Sequence, residues 1–153
     1  MATFRTTRTL RHSPEAMFDL VADVERYPQF VPLCESLTIR SRTANADGTE
    51  VVIAAMTIGY KLFRESFTSR VVLNRTARTI DVGYLDGPFK IMENRWTFEP
   101  IGEGACKVGF YIHYELRSRA LGAVMGSVFD KVFSRFAEAF EARADAIYGA
   151  RPA

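Results

Sequence analysis

Between Arg119 and Tyr148, the apolar residues Leu121, Met125, Val128, Phe129, Val132, Phe133, Phe136, Phe140, Ala144 and Ile147 recur at three- and four-residue steps. That is the 3.6-residue period of a helix with one wide apolar face. At 1.5 Å per residue the helix would run roughly 40 Å, longer than a small domain usually needs. A stripe of that width must be covered, and the chain before it reads mostly as strands and turns.

At the start, Phe4, Thr6, Arg8 and Leu10 share one face of an opening strand. The alternative for residues 1–13 is an organellar presequence, because Arg5, Arg8 and Arg11 precede the first acid, Glu15. The β-branched threonines favour the strand. Ser13, Pro14 and Glu15 supply the N-cap, first helical position and acidic first turn of a short helix, whose apolar side is Ala16, Met17, Leu20 and Val21. It should end near Asp23, since Pro28 disfavours helix at Tyr27. Residues 27–34, with Pro28 and Pro32 bracketing Phe30 and Val31, are too apolar for an exposed loop. They predict either a one-turn helix over an opening in the core or a lid.

Strand signals then take over. Residues 36–43 alternate weakly, and the stretch Asn45, Ala46, Asp47, Gly48 is a good hairpin turn. Glu50–Tyr60 has Val52, Ala54, Met56 and Ile58 on one face and Val51, Ile53 and Ala55 on the other. Gly59 predicts a sharp break before a strand over residues 61–73. There Phe63, Glu65, Phe67, Ser69, Val71 and Leu73 face one way, while Arg64, Ser66, Thr68 and Arg70 face the other. A turn at residues 74–77 and a strand over 78–84 follow. Leu85, Asp86, Gly87, Pro88 and Phe89 read as a breaker-rich loop. Met92, Asn94, Trp96 and Phe98 share the next strand face, and a turn falls at residues 100–104. Cys106, Val108, Phe110, Ile112, Tyr114 and Leu116 form the cleanest alternation in the chain. This order predicts one α+β domain over residues 1–153, with a curved antiparallel sheet of about seven strands wrapped around the long terminal helix.

Composition narrows the function. The net charge of +2, from 20 basic and 18 acidic residues, demands neither nucleic acid nor an anionic membrane, and DNA is not an expected partner. No apolar run approaches the ~20 residues of a membrane span, and no export signal is visible, so a cytosolic protein is expected. Cys34 and Cys106 show no ligand spacing, so no metal is expected. His12 and His113 stand in no nucleophile pattern, and no phosphate-binding or zinc-protease motif occurs, so no catalytic residue is assigned. His113 should be solvated or at a rim. Glu65 shares a face with Phe63 and Phe67; it is either a polar anchor for a guest or a strand-end carboxylate paired with an arginine. Twelve phenylalanines, six tyrosines and five methionines suffice either to fill a core or to line a ~500 Å³ pocket beneath a straight helix.

Several stretches together resemble the coenzyme Q-binding branch of the START-like polyketide cyclase/dehydrase superfamily. They are residues 27–34, Phe63 through Phe67 with Ser69 and Val71, Gly87 through Phe89 followed by Trp96 and Phe98, and the run from Phe129 to Phe140. Leu33 departs from the pattern, since the family is expected to carry tryptophan there. The resemblance implies a helix-grip (START-like, Bet v-like) fold with a hydrophobic tunnel for ubiquinone or a similar isoprenoid lipid. The guest would be a bound ligand, with no other cofactor required. Members of the family are thought to assist respiratory quinone use as carriers or chaperones rather than as catalysts. A similar bacterial branch is described as a toxin that binds the large ribosomal subunit.

On that basis the lipid tail would lie against Phe63, Phe67, Trp96, Phe98, Phe110, Ile112, Met125, Phe129, Val132 and Phe136. Phe30, Val31 and Leu33 would gate one side of the mouth, and Pro88 and Phe89 the other. Glu65 or Tyr114 would meet the quinone head. Such a protein would be cytoplasmic and peripheral at the inner membrane in a bacterium, touching the membrane surface transiently, or on the matrix side of a mitochondrion. Ribosome association and a polyketide cyclase or aromatase activity are the alternatives. The first calls on a cluster of Arg5, Arg8, Arg40, Arg42, Arg64, Arg70, Arg75 and Arg78, and the second on polar groups deep in the pocket, of which the inward faces offer few.

Overall fold

Strands β1 (Ala2–Leu10) and β2 (Cys34–Ala44) are consecutive in the chain yet form the two edges of one seven-stranded antiparallel sheet. The structure is a computed structural model that describes residues 2–61 and 63–149. Helix α1 (Pro14–Ala22) and a 3₁₀ turn (Val24–Gln29) carry the chain across from one edge to the other. The remaining strands follow as hairpins: β3 (Glu50–Tyr60), β4 (Phe63–Asn74), β5 (Thr79–Asp86), β6 (Phe89–Pro100) and β7 (Cys106–Leu116), with β7 pairing back onto β1. Helix α2 (Arg119–Tyr148) packs in the hollow of the sheet, giving the helix-grip arrangement.

The local starts and stops have visible causes. The Ser13 hydroxyl accepts from the Ala16 N–H at 3.1 Å, capping α1, and Met17, Phe18, Leu20 and Val21 turn its apolar side into the core. Helix α1 ends at Ala22 with Asp23 as its C-cap, as expected, and Tyr27 and Pro28 then sit inside the 3₁₀ turn. That turn is closed by the N–H groups of Phe30 and Val31, which donate to the Tyr27 carbonyl at 3.1 and 2.8 Å, so the N–H missing from Pro28 is not needed there. Leu33 follows in the left-handed region at φ 67°, a conformation costing a non-glycine residue roughly 1–2 kcal/mol. Its carbonyl is held by the Gly59 N–H at 3.0 Å.

Gly59 does not break the sheet. It stays in register opposite Arg64, and the missing side chain leaves room for the Glu35 carboxylate, which accepts two 2.7 Å hydrogen bonds from the Arg64 guanidinium. The expected loop over residues 85–89 is also tighter than its composition suggests, because β5 runs to Asp86 and β6 begins at Phe89. Gly87 makes this turn at φ +144°, and a side chain there would collide with the backbone and Cβ of Phe67.

The alternation of β4, β6 and β7 holds. Ser69, Val71 and Leu73, then Met92, Trp96 and Phe98, then Cys106, Val108, Phe110, Tyr114 and Leu116 are buried. The core is aromatic-rich: Trp96 contacts Phe110 and Phe140 with centroids 4.8 Å apart in each case, and Phe18 meets Phe98 edge-on at 5.7 Å. Along α2, Met125, Phe129, Phe133, Phe140 and Ala144 are buried, whereas Ile147 is 51% exposed where the last turn lies over α1. That end is tied by polar contacts: Arg8 to Glu141 at 2.8 Å, His12 to Asp145 at 2.7 Å, Arg143 to Gln29 at 2.6 Å and the Tyr148 hydroxyl to the Ala16 carbonyl at 3.2 Å.

Candidate ligand-binding cavity

Between α2 and the inner face of the sheet lies a cavity of about 150 Å³. Its floor comes from the inward alternation of β3 to β7, its roof from α2, and one flank from residues 24–33. The expected ~500 Å³ space is therefore mostly occupied by side chains. What remains is the size of an engineered apolar cavity that accepts benzene.

Ten of the residues expected at the site line this cavity: Val31, Leu33, Phe67, Phe89, Trp96, Phe110, Ile112, Phe129, Val132 and Phe136. The other seven lie elsewhere. Phe30 packs edge-on against Phe140 at 5.0 Å and beneath the Arg143 guanidinium, on the outer side of the flank. Phe98 is stacked behind Trp96 against α1. Phe63 meets the Phe129 ring at 6.2 Å, Met125 is buried one turn before Phe129, and Pro88 accepts the Arg117 N–H through its carbonyl at 2.9 Å. Tyr114 faces a separate polar pocket. Glu65 is half-buried and makes no hydrogen bond or ion pair among the described residues, because the adjacent Arg64 engages Glu35 instead. The rim-arginine reading of Glu65 is thereby corrected.

The cavity also leans further toward β2–β5 than the sequence indicated, taking in Leu37, Met56, Ile58, Ile80 and Val82. The Met56 and Ile58 alternation on β3 was the signal for this side of the wall. Its polar groups are few and largely engaged. The Tyr27 hydroxyl donates to the Val21 carbonyl at 2.5 Å, and burial pushes its pKa strongly upward. The Asn94 amide donates to the Tyr111 carbonyl at 2.7 Å, and Ser69 is buried. Cys34 borders the flank, but burial raises its thiol to about 11, which leaves it protonated and unreactive at neutral pH. His113, at the sheet's outer face, shares a 2.7 Å hydrogen bond with the Thr3 hydroxyl. Among the described residues, no three His, Cys, Asp or Glu side chains gather to hold a metal. No described helix is long and apolar enough to cross a membrane.

A sequence profile described as polyketide cyclase / dehydrase and lipid transport matches residues 10–141. The chain belongs to this family. Within the polyketide cyclase/dehydrase and lipid transport family it is 33% identical over 147 residues to the ribosome association toxin RatA of Rickettsia prowazekii, covering 94% of this chain and 97% of that one. It is 26% identical over 141 residues to the mitochondrial coenzyme Q-binding protein coq10 of Schizosaccharomyces pombe, covering 90% and 83%. The solution structure of an 18 kDa Caulobacter crescentus protein superposes with a TM-score of 0.81 at 35% identity, covering 98% of this chain and 100% of that one. The family's description spans both cyclase or dehydrase activity and lipid transport.

Proposed function

We propose that the protein is a non-enzymatic binder of ubiquinone or a similar isoprenoid lipid, acting as a carrier or chaperone for respiratory electron transport. The observation that carries this reading is the apolar cavity beneath α2, whose few polar groups are buried or already bonded and offer no acid–base pair for cyclisation. Similarity to a relative named as coenzyme Q-binding supports the same chemistry. The free space holds a ring-sized group. The remainder of a polyprenyl guest is accommodated by outward movement of the first half of α2, each buried methylene contributing about 0.8 kcal/mol.

Trp96, the sole tryptophan, lines the cavity and provides the assay. Short-chain quinones should quench its fluorescence saturably, and organic extraction of the purified protein followed by mass spectrometry should release a quinone. A protein that is repeatedly empty and unquenched overturns the proposal.

A second reading, ribosome association, is supported by similarity to the toxin relatives. The surface offers it less, since the expected arginine cluster is largely neutralised in place: Arg42 by Glu25 and Glu50, Arg64 by Glu35, Arg75 by Asp19 and Arg78 by Glu15. Salt-sensitive co-sedimentation with large ribosomal subunits would establish this function, and its absence would remove it.

A further inference from the structure

At the head of α2 lies a second pocket, of about 440 Å³, whose character is opposite to that of the first. Lys90, Arg117 and Arg119 surround it, while Gly122 and Gly126 form its helical wall. A Cβ at either glycine would meet nothing within 4 Å, so the absent side chains are what leave the space open. Lys90 and Glu115 offset one another at 3.4 Å. Arg117 is fixed by its Nε donating to the Phe89 carbonyl at 2.9 Å. The first turn of α2 contains no acid, so the positive end of the helix dipole, capped by the Ser118 hydroxyl, faces two arginines, and the one carboxylate lining the pocket, Glu115, is engaged by Lys90. That arrangement costs stability unless a negative group comes to it.

Tyr114 supplies an independent indication. Its side chain is 4% exposed and lines this pocket, yet its hydroxyl has no hydrogen-bond partner among the described residues. A buried hydroxyl without a partner is uncommon and normally marks a missing ligand or water. Burial and the charge of Asp130, one turn beyond Gly126, push its pKa up to about 12, so it remains a donor at any physiological pH. The ring of the same tyrosine packs edge-on against Phe129 at 5.5 Å and Phe89 at 6.2 Å, and both of those line the apolar cavity. The Tyr114 ring, backed by Phe89 and Phe129, therefore stands between the polar pocket and the apolar one.

We propose that this pocket is an oxyanion site that takes the phosphate or carboxylate head of an amphiphile, with the Tyr114 hydroxyl, the Arg119 guanidinium and the Arg119 and Ala120 amides as donors, the Leu121 and Gly122 amides being taken by Ser118. The site goes beyond the quinone reading, because a quinone carries no charge. A neighbouring apolar cavity behind this aromatic wall favours a headgroup bearing a hydrocarbon chain over a free anion.

The test is calorimetric titration of the full chain with dodecyl phosphate, dodecanol and inorganic phosphate, with the Gly122 and Gly126 amide resonances followed in parallel. Dodecyl phosphate should bind and shift both amides. Tyr114→Phe and Arg119→Glu should each weaken it about tenfold, the scale of a lost hydrogen bond to a charged group. Gly126→Leu, which fills the pocket while improving helix propensity, should block it. Equal binding of dodecanol, or indifference to all three substitutions, overturns the site. Equal binding of inorganic phosphate overturns the amphiphile. Trp96 quenching by quinone reads the other cavity, so either proposal can fail while the other stands.

Discussion

The two halves of α2 are built to different rules. From Phe133 onward the helix roofs the cavity with Phe133, Phe136 and Phe140, packs against Trp96, Phe110 and Tyr27, and is tied by side-chain hydrogen bonds to β1, α1 and the 3₁₀ turn. Before Phe133 it carries Gly122 and Gly126, exposes Val124 at 68%, borders both pockets, and makes no side-chain hydrogen bond to the rest of the fold among the described residues. One continuous helix thus combines an anchor with a cover. The anchor fixes where the cavity is, and the first half, which has fewer polar ties, is the part of the wall that would have to yield to a guest larger than 150 Å³.

The sharpest way to break this contrast is truncation. Phe140→Ala, whose ring meets Tyr27, Phe30 and Trp96 at 5.5, 5.0 and 4.8 Å, should cost about 3–5 kcal/mol in denaturant unfolding, whereas Phe129→Ala, whose ring neighbours Phe63, Tyr114 and Phe133 stand at 6.2, 5.5 and 6.0 Å, should cost clearly less. Equal losses would mean the halves are packed alike. Asp145→Ala should cost about 1–3 kcal/mol, because it leaves the buried His12 ring without its partner. Arg8→Ala, which removes a partly exposed ion pair with Glu141, should cost under about 1 kcal/mol. In the other half, Gly122→Ala and Gly126→Ala should each stabilise by about 1 kcal/mol, since the new methyls meet nothing, and should slow ligand exchange measured by stopped-flow quenching. Faster exchange would show that the helix does not gate the cavity.

A pH effect should be weakest at neutrality. Burial raises the thiols of Cys34 and Cys106 from 9.0 to about 11. A pKa raised by folding means the folded state holds the proton more tightly. That contribution is complete below the unfolded value and is lost as pH climbs through about 11. Stability should therefore decline between about pH 9 and 11, and Cys34→Ala with Cys106→Ala should flatten the decline in urea titrations at each pH.

The strands and helices were legible because their periods are uninterrupted. Ser13 and Pro14 start α1, and the alternation of β7 from Cys106 to Leu116 survives intact. Gly59 read as the break, but the hairpin turns after Tyr60 and Gly59 instead admits Glu35; Gly87 does turn the chain, more tightly than expected because it lies against Phe67, and no local pattern encodes either approach. The cavity was partly legible for the same reason. Alternation tells which way Trp96, Phe110 and Phe67 point, but not that the hollow extends to Ala54, Met56 and Ile58 of β3. Phe98 and Phe30 point correctly for a guest yet are screened by Trp96 and Phe140, a matter of depth rather than direction. The polar pocket was hidden because its defining feature is side chains that are absent.

The placement of β1 and β2 at opposite edges has a kinetic side. Six strands from β2 to β7 zip as neighbouring hairpins, with loops short enough to close quickly, but β1 must wait for a partner 110 residues away. Until that pairing is made, His12 and Arg8 are not in place to receive the end of α2. During synthesis, then, a concave aromatic face stands uncovered until the thirty residues of α2 emerge, and the chain depends in that interval on whatever shields it from its neighbours. The surface that suits an apolar guest in the finished protein is the one most exposed to aggregation while the protein is being made.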